Sequence, residues 1–232
     1  MNIEHLKQEV LEANLDLVNK NLVISTWGNV SGYDAETKLI VIKASGVNYN
    51  KMTIHDMVVV DLSGTIIEGD KLPSTDTPTH IELYKAFSEK GVCGIVHTHS
   101  QFATSWAQMG RAIPCYGTTH GDYFYGEIPC SREMSAEEIN SEYEKNTGKV
   151  ILEAMSHTDC IHMSATLVRH HGPFVWGKTP TEAVLHSQVL EYIAKMAILS
   201  ELGFPSIHPI PQVLEDKHYN RKFGPGAYYG QK

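Results

Sequence analysis

Gly94-Ile95-Val96-His97-Thr98-His99 is the stretch on which the reading of this chain turns. With Gly91 before it and the polar Ser100-Gln101 after it, the apolar Gly94-Ile95-Val96 run reads as a short buried strand ending in a turn. Side chains alternate faces along a strand, so His97 and His99 point one way and Thr98 the other. Two imidazoles at that spacing reach one ion of zinc size. Alone, an H-x-H pair is weak evidence for a metal. Its company strengthens it: His120 with Asp122, His170-His171-Gly172 and Asp76 sit in similarly punctuated turns. The chain has 13 histidines in 232 residues, so some crowding is expected; repeated placement just past apolar runs is not.

Composition narrows the classes. A chain of 232 residues with 42% hydrophobic and 20% charged residues is long enough for one real core and too apolar for disorder. A net charge of -8 argues against a nucleic-acid or anionic-membrane surface, while a local basic pocket for a phosphate stays open. Cys93, Cys115, Cys130 and Cys160 form no C-x-x-C pair and read as reduced thiols. No apolar signal segment follows Met1-Asn2-Ile3-Glu4, and no apolar run approaches the roughly 18 residues of a membrane span. The expectation is a soluble cytoplasmic domain.

Working outward, Ile3, Leu6, Val10, Ala13 and Leu17 mark an amphipathic helix. Val23 to Trp27 reads as a strand, and Gly28-Asn29-Val30-Ser31-Gly32 as a hairpin turn after it. Leu39 to Lys43 is a strand running into Ala44-Ser45-Gly46, where Lys43, the Ser45 hydroxyl and amides opened by Gly46 suit an anion. Met57 to Asp61 and Thr65-Ile66-Ile67 form a hairpin. Thr77 reads as the N-cap of a helix with Pro78 at its first position, and Ser74 and Thr75 before it are placed either for a phosphate or for capping alone. Further helices are expected from Phe102 to Met109, at the Ser135 capping box, from Thr147 to Met155, and from Thr179 to Gly203. Ala165 to Val168 and Phe174 to Gly177 pair as antiparallel strands, and residues 205–232 read as irregular.

A catalytic zinc takes about three protein ligands and one exchangeable position. His97, His99 and a histidine of His170-His171 supply three nitrogens, and Asp76 a carboxylate that yields to substrate. The turns at Gly28-Asn29, Ser45-Gly46 and Ser74-Thr75 would hold an anionic group beside it, which points to a phosphorylated polyol or sugar.

Thr26-Trp27-Gly28-Asn29-Val30-Ser31, Lys43-Ala44-Ser45-Gly46, Ser74-Thr75-Asp76-Thr77-Pro78-Thr79-His80, His97-Thr98-His99 and His171-Gly172-Pro173 together resemble the class II aldolase/adducin family over nearly the whole chain. Gly117 to Gly126, Asp216-Lys217-His218-Tyr219 and Ala227-Tyr228-Tyr229-Gly230-Gln231 are similar to its sugar-phosphate epimerases, with Gly121 where those enzymes usually have alanine and Thr75 for the commoner serine. The resemblance implies zinc, with manganese as the alternative, one ion per subunit held by His97, His99 and His171, with Asp76 as the further ligand. It implies Asp122 and Tyr229 as the acid/base pair and Gly28, Asn29, Ser45, Gly46, Ser74 and Thr75 as substrate contacts; His218 sits in a matching motif. The substrates it implies are L-ribulose 5-phosphate and D-xylulose 5-phosphate, on a pentose route such as arabinose or ascorbate catabolism. It further implies a C4 homotetramer with interface active sites, Tyr229 coming from the neighbouring chain.

The expected fold is a single α/β domain over residues 1–232, a three-layer α/β/α arrangement with a central, largely antiparallel sheet. The chemistry can be argued without the family. In a 2-ketose the carbonyl acidifies the C3 hydrogen but not that on C4, so inverting C4 needs oxidation there or breakage of C3–C4. No G-x-G-x-x-G follows a strand, which disfavours a nicotinamide route and leaves retro-aldol cleavage with metal assistance. Three rivals are a class II aldolase cleaving a deoxyketose 1-phosphate, a zinc hydrolase, which lacks its H-E-x-x-H helix here, and an adducin-like scaffold without metal.

Overall fold

One antiparallel ladder organises the fold. The computed structural model describes residues 2–230, so Met1, Gln231 and Lys232, including the end of the Ala227-to-Gln231 motif, lie outside the described residues. The strands are β1 (Asn29–Asp34), β2 (Leu39–Lys43), β3 (Met57–Asp61), β4 (Ile66–Glu68), β5 (Gly94–His97), β6 (Ala165–Val168) and β7 (Gly172–Gly177). They form one sheet in the order β4-β3-β2-β1-β5-β7-β6, antiparallel at every pairing. The helices are α1 (Ile3–Asn19), α2 (Thr77–Phe87), α3 (Gln101–Met109), α4 (Thr118–Gly121), α5 (Ala136–Asn140), α6 (Tyr143–Ala154), α7 (Pro180–Gly203) and α8 (Gln212–Phe223).

The period-2 alternation sorts the strands' side chains between two faces. Ile40, Ile42, Val58 and Val60 pack with Ile81 and Tyr84 of α2. Val41 and Val59 meet Leu6 and Val10 of α1, and Val30 and Val96 meet Ala183 and Val184 of α7. Helices therefore cover both faces, as the expected three layers require. α1 and α7 approach one face closely because glycines stand there. A Cβ on Gly32 would lie 2.7 Å from Leu6, and one on Gly94 only 2.3 Å from the Thr179 carbonyl oxygen.

Four local expectations change. The strand expected at Val23 to Trp27 is a loop with Ile24 and Trp27 exposed, and the expected Gly28-to-Gly32 turn is mostly β1. Gly and Asn disfavour strands by propensity, but burial against α1 and α7 overrides that, and the Asn14 side chain adds hydrogen bonds to both backbone groups of Val30. The helix expected from Thr77 is capped at Asp76 rather than Thr77. Residues 212–223, expected to be irregular, form α8, whose residues contact Tyr125, Gly126 and His162. Its apolar content is too low for the periodicity to show.

Gly94 yields the clearest stability test. The atoms its Cβ would strike are backbone, which cannot swing aside, so Gly94→Ala is expected to destabilise the protein by about 3 kcal/mol. Urea unfolding would read this as a lower midpoint at unchanged slope.

Candidate active site

The β1–β5 register pairs Asn29 with His97 and Ser31 with Ile95, and alternation places all four side chains on the α2 face. His97 is at the end of β5, buried, with its ring stacked on Phe174 at 4.2 Å. Its Nδ1 lies 3.0 Å from the Pro173 carbonyl oxygen and donates to it, which leaves Nε2 as the free ligand atom. His99, past the strand end, brings its Nε2 to 3.0 Å from His97 Nε2. The β6–β7 hairpin turns through His170, at φ 63°, and so presents His171 to the same point. Of the two histidines left open by spacing, His171 lines the cavity and His170 is exposed outside it.

Ligand atoms of His97, His99 and His171 all lie within 4.8 Å of one another, a donor set and spread that fit one divalent ion. Burial, then the neighbouring His97 and His99, pushes the His171 imidazole down to about 3, so it is neutral and ready as a ligand near pH 7. Asp76 lines the same cavity, but its Oδ2 accepts from Asn29 Nδ2 at 2.6 Å, and the three-imidazole cluster closes without it. Burial opposes the Asp76 charge, yet His97, His80 and the Asn29 bond hold the carboxyl below its usual range. Because Asp76 makes no side-chain capping bond at the start of α2, its carboxylate is available to the cavity.

Behind Asp76, a hydrogen-bonded chain fixes the floor. Ser31 Oγ lies 2.7 Å from His80 Nδ1 and 2.8 Å from the Tyr84 hydroxyl. If Tyr84 donates to Ser31 and Ser31 to His80, every hydroxyl proton is used and the imidazole proton sits on Nε2, a buried atom with no partner. Burial pushes His80 down to about 3, so the ring is neutral.

The cavity around these groups measures about 400 Å³ and also takes in Gly28, Ser45, Gly46, Ser74 and Thr75, every residue that the turn motifs suggested for an anion. Gly46 adopts φ +68°, opening the turn after β2. Lys43, only 2% exposed, reaches its Nζ to the Thr26 and Ala44 carbonyls at 3.3 and 3.4 Å. Burial lowers its pKa, with Asp76 and Asp56 resisting. Trp27, Tyr143 and Glu144 join the lining without having been anticipated. Tyr143 stacks on His171 with ring centroids 6.2 Å apart; it opens α6, a helix that the sequence pattern started only at Thr147.

Asp122 and Tyr229 do not line this cavity. They meet each other's neighbours elsewhere in the chain, where α4 packs on α8. Asp122 accepts hydrogen bonds from Arg221 at 2.7 to 3.0 Å, and His218 Nδ1 is 3.0 Å from its Oδ1. Lys222 Nζ is 4.0 Å away. Burial works against the Asp122 charge, but Arg221, His218 and Lys222 outweigh it and hold the carboxyl below its usual range. The Tyr229 ring packs on Arg221 and Lys222 at 5.0 and 4.6 Å and is 61% exposed. An alanine methyl at Gly121 would make an ordinary 3.5 Å contact with Glu215, so glycine there alters little.

Residues 8–198 match the class II aldolase and adducin N-terminal domain. The structure is similar to that of an L-fuculose 1-phosphate aldolase, at 24% identity and a TM-score of 0.79, over 94% of this chain and 95% of that one. It is similar to the YgbL protein of Klebsiella pneumoniae, described as a candidate aldolase/epimerase/decarboxylase, at 20% identity and a TM-score of 0.74, over 94% and 99%. It is also similar to the L-fuculose-1-phosphate aldolase of Thermus thermophilus, at 23% identity and a TM-score of 0.66, over 90% and 100%. At these identities the likeness is one of fold. Among the described residues no helix is long and apolar enough to cross a membrane.

Chelator-stripped protein is expected to take up one divalent ion per chain and melt at a higher temperature when loaded, with His171→Asn lowering affinity at least tenfold by isothermal titration. In the metal-free protein, acid should destabilise the fold. His80 and His120 are held at about 3 and about 4 against 6.5 for a free imidazole, so the unfolded chain binds more protons between those values. Their contribution is full above pH 6.5 and falls as the pH drops, by on the order of 2 kcal/mol for each group at pH 5. Urea midpoints at pH 7 and pH 5 would read it, and His80→Gln should flatten the dependence.

Proposed function

The chain belongs to the class II aldolase and adducin family, and from that premise we propose that it is a metal-dependent L-ribulose-5-phosphate 4-epimerase acting through retro-aldol cleavage and re-formation of the C3–C4 bond. The observation that carries this reading is the second polar cluster. Besides the three imidazoles and their anion-binding turns, the chain holds an ionised Asp122 and a tyrosine on one cationic platform, away from the first cavity. A plain aldolase reading leaves that platform without a role, and a scaffold reading leaves the convergence of His97, His99 and His171 without one.

Zinc, or manganese in its place, would be held by His97, His99 and His171 and would supply a Lewis acid for the negative charge that develops on the ketose oxygens. Lys43, Ser45, Gly46, Ser74 and Thr75 bind the 5-phosphate, and Asn29 orients both Asp76 and the sugar. Asp122 takes the C4 hydroxyl proton as the C3–C4 electron pair moves to the dihydroxyacetone fragment. The glycolaldehyde phosphate, tethered by its phosphate, presents its other carbonyl face, and Tyr229 protonates its oxygen as the bond re-forms. Each turnover moves one proton from Tyr229 to Asp122, and exchange with water restores both.

The separation of the two clusters in one chain supports a complete site formed between subunits of the homotetramer that this reading includes. One subunit supplies the imidazoles and the other supplies both Asp122 and Tyr229. This differs from a site that draws only Tyr229 from the neighbour. Mixed assemblies of His97→Asn and Asp122→Asn chains should therefore recover activity, whereas mixtures of Asp122→Asn and Tyr229→Phe should not. The first measurement is conversion of L-ribulose 5-phosphate to D-xylulose 5-phosphate by metal-loaded protein in deuterated water. Conversion with no deuterium at C4 is expected. Deuterium at C4 would rule out carbon–carbon cleavage, and release of both fragments without recapture would make the protein an aldolase.

A further inference from the structure

We propose that Arg221 is a positioning residue that joins Asp122 and Tyr229 into one proton-transfer unit, an inference that rests on the reading of those two residues as the acid/base pair. Arg221 makes contact with both. Its Nη2 donates to Asp122 Oδ1 and Oδ2 at 2.8 and 2.7 Å, and its Nε donates to Oδ1 at 3.0 Å. Its own carbonyl oxygen accepts the backbone N–H groups of Tyr228 and Tyr229 at 2.9 and 3.1 Å. Its guanidinium carbon stands 5.0 Å from the centre of the Tyr229 ring.

These contacts do different jobs. The planar fork fixes the carboxylate in orientation as well as charge, which a lysine ammonium cannot do from one point. The carbonyl anchors the peptide of the segment beyond α8, and the cation under the ring gives Tyr229 a seat. That seat matters because Tyr229 follows Gly224-Pro225-Gly226, leaves the helix, and exposes more than half of its surface. The only other cation against the ring is Lys222, among the described residues. His218 completes the group on the Asp122 side, 3.0 Å from the same Oδ1 that Arg221 holds. Arg221 thus sets the separation between carboxylate and phenol that a substrate C4 hydroxyl must fit in either orientation.

The guanidinium also sets the starting protonation. It favours the ionised carboxylate, so Asp122 enters each cycle as base and Tyr229 as acid.

The test uses zinc-loaded full-length protein and the variants Arg221→Lys and Arg221→Met, each first shown to melt within a few degrees of wild type. Loss of kcat by about tenfold in Arg221→Lys and about a hundredfold in Arg221→Met is expected, with KM changed less than threefold, because misplacing reacting groups costs on that scale without touching substrate affinity. The acidic limb of the pH–rate profile should move to higher pH in Arg221→Met, and the Asp122 carboxyl, followed by NMR of ¹³C-labelled aspartate, should titrate higher. Wild-type kcat in both variants, or an unmoved Asp122 titration, would overturn the proposal. A raised KM at unchanged kcat would also overturn it, by making Arg221 a substrate contact. If wild-type protein does not epimerise, the functional reading fails and takes the catalytic role of Arg221 with it; the titration alone then reports whether Arg221 governs Asp122.

Discussion

The register of β1 against β5 is the constraint from which the rest follows. Pairing Asn29 with His97 sends Asn29, Ser31 and His97 to the α2 face, and the same ladder sends Gly32 and Gly94 to the face where α1 and α7 pack. The two faces have opposite needs: one must present polar groups to a cavity, the other must present almost nothing so that helix backbone can approach. A slip of one residue would exchange them, driving the Ser31 or Tyr33 side chain into Leu6, Val10 and Pro180. Steric demand on the buried face therefore protects the geometry of the chemical one.

Much of this was legible in the sequence where local pattern and tertiary environment agree. The three-residue and four-residue apolar spacing of α1, the β-branched run of β2 and the capping residue Thr179 of α7 read directly as structure. The β1 region did not, because glycine, asparagine and serine are turn residues by propensity and become strand only through what packs on them. α8 was invisible for a related reason: its helix is held by the Glu215, Asp216 and Tyr219 side chains, and polar contacts leave no apolar period.

The candidate site shows the same division. His97, His99 and His171 stood out because residues able to hold a metal obey spacing rules that a strand and a hairpin translate into convergence. Gly28, Asn29, Ser45, Gly46, Ser74 and Thr75 line one cavity as the turn chemistry suggested. Tyr143 and Glu144 arrive from a helix distant in sequence, and Arg221 is an ordinary arginine on a polar helix until Asp122 is brought against it. Contacts between residues 99 apart carry no local signature. That Asp122 and Tyr229 share a platform was equally unreadable, since nothing in either motif refers to the other.

The burial of Lys43 separates how an anion would reach this cavity from how it would be held there. With a net charge of -8 the molecule repels any anion at a distance, and dissolved salt screens that repulsion within about 10 Å at 0.1 M. Lys43, 2% exposed and facing carbonyls, is shielded from the same ions. Raising ionic strength should then quicken the encounter with an anion while leaving the grip of Lys43 on it nearly constant, the reverse of a site built from surface lysines.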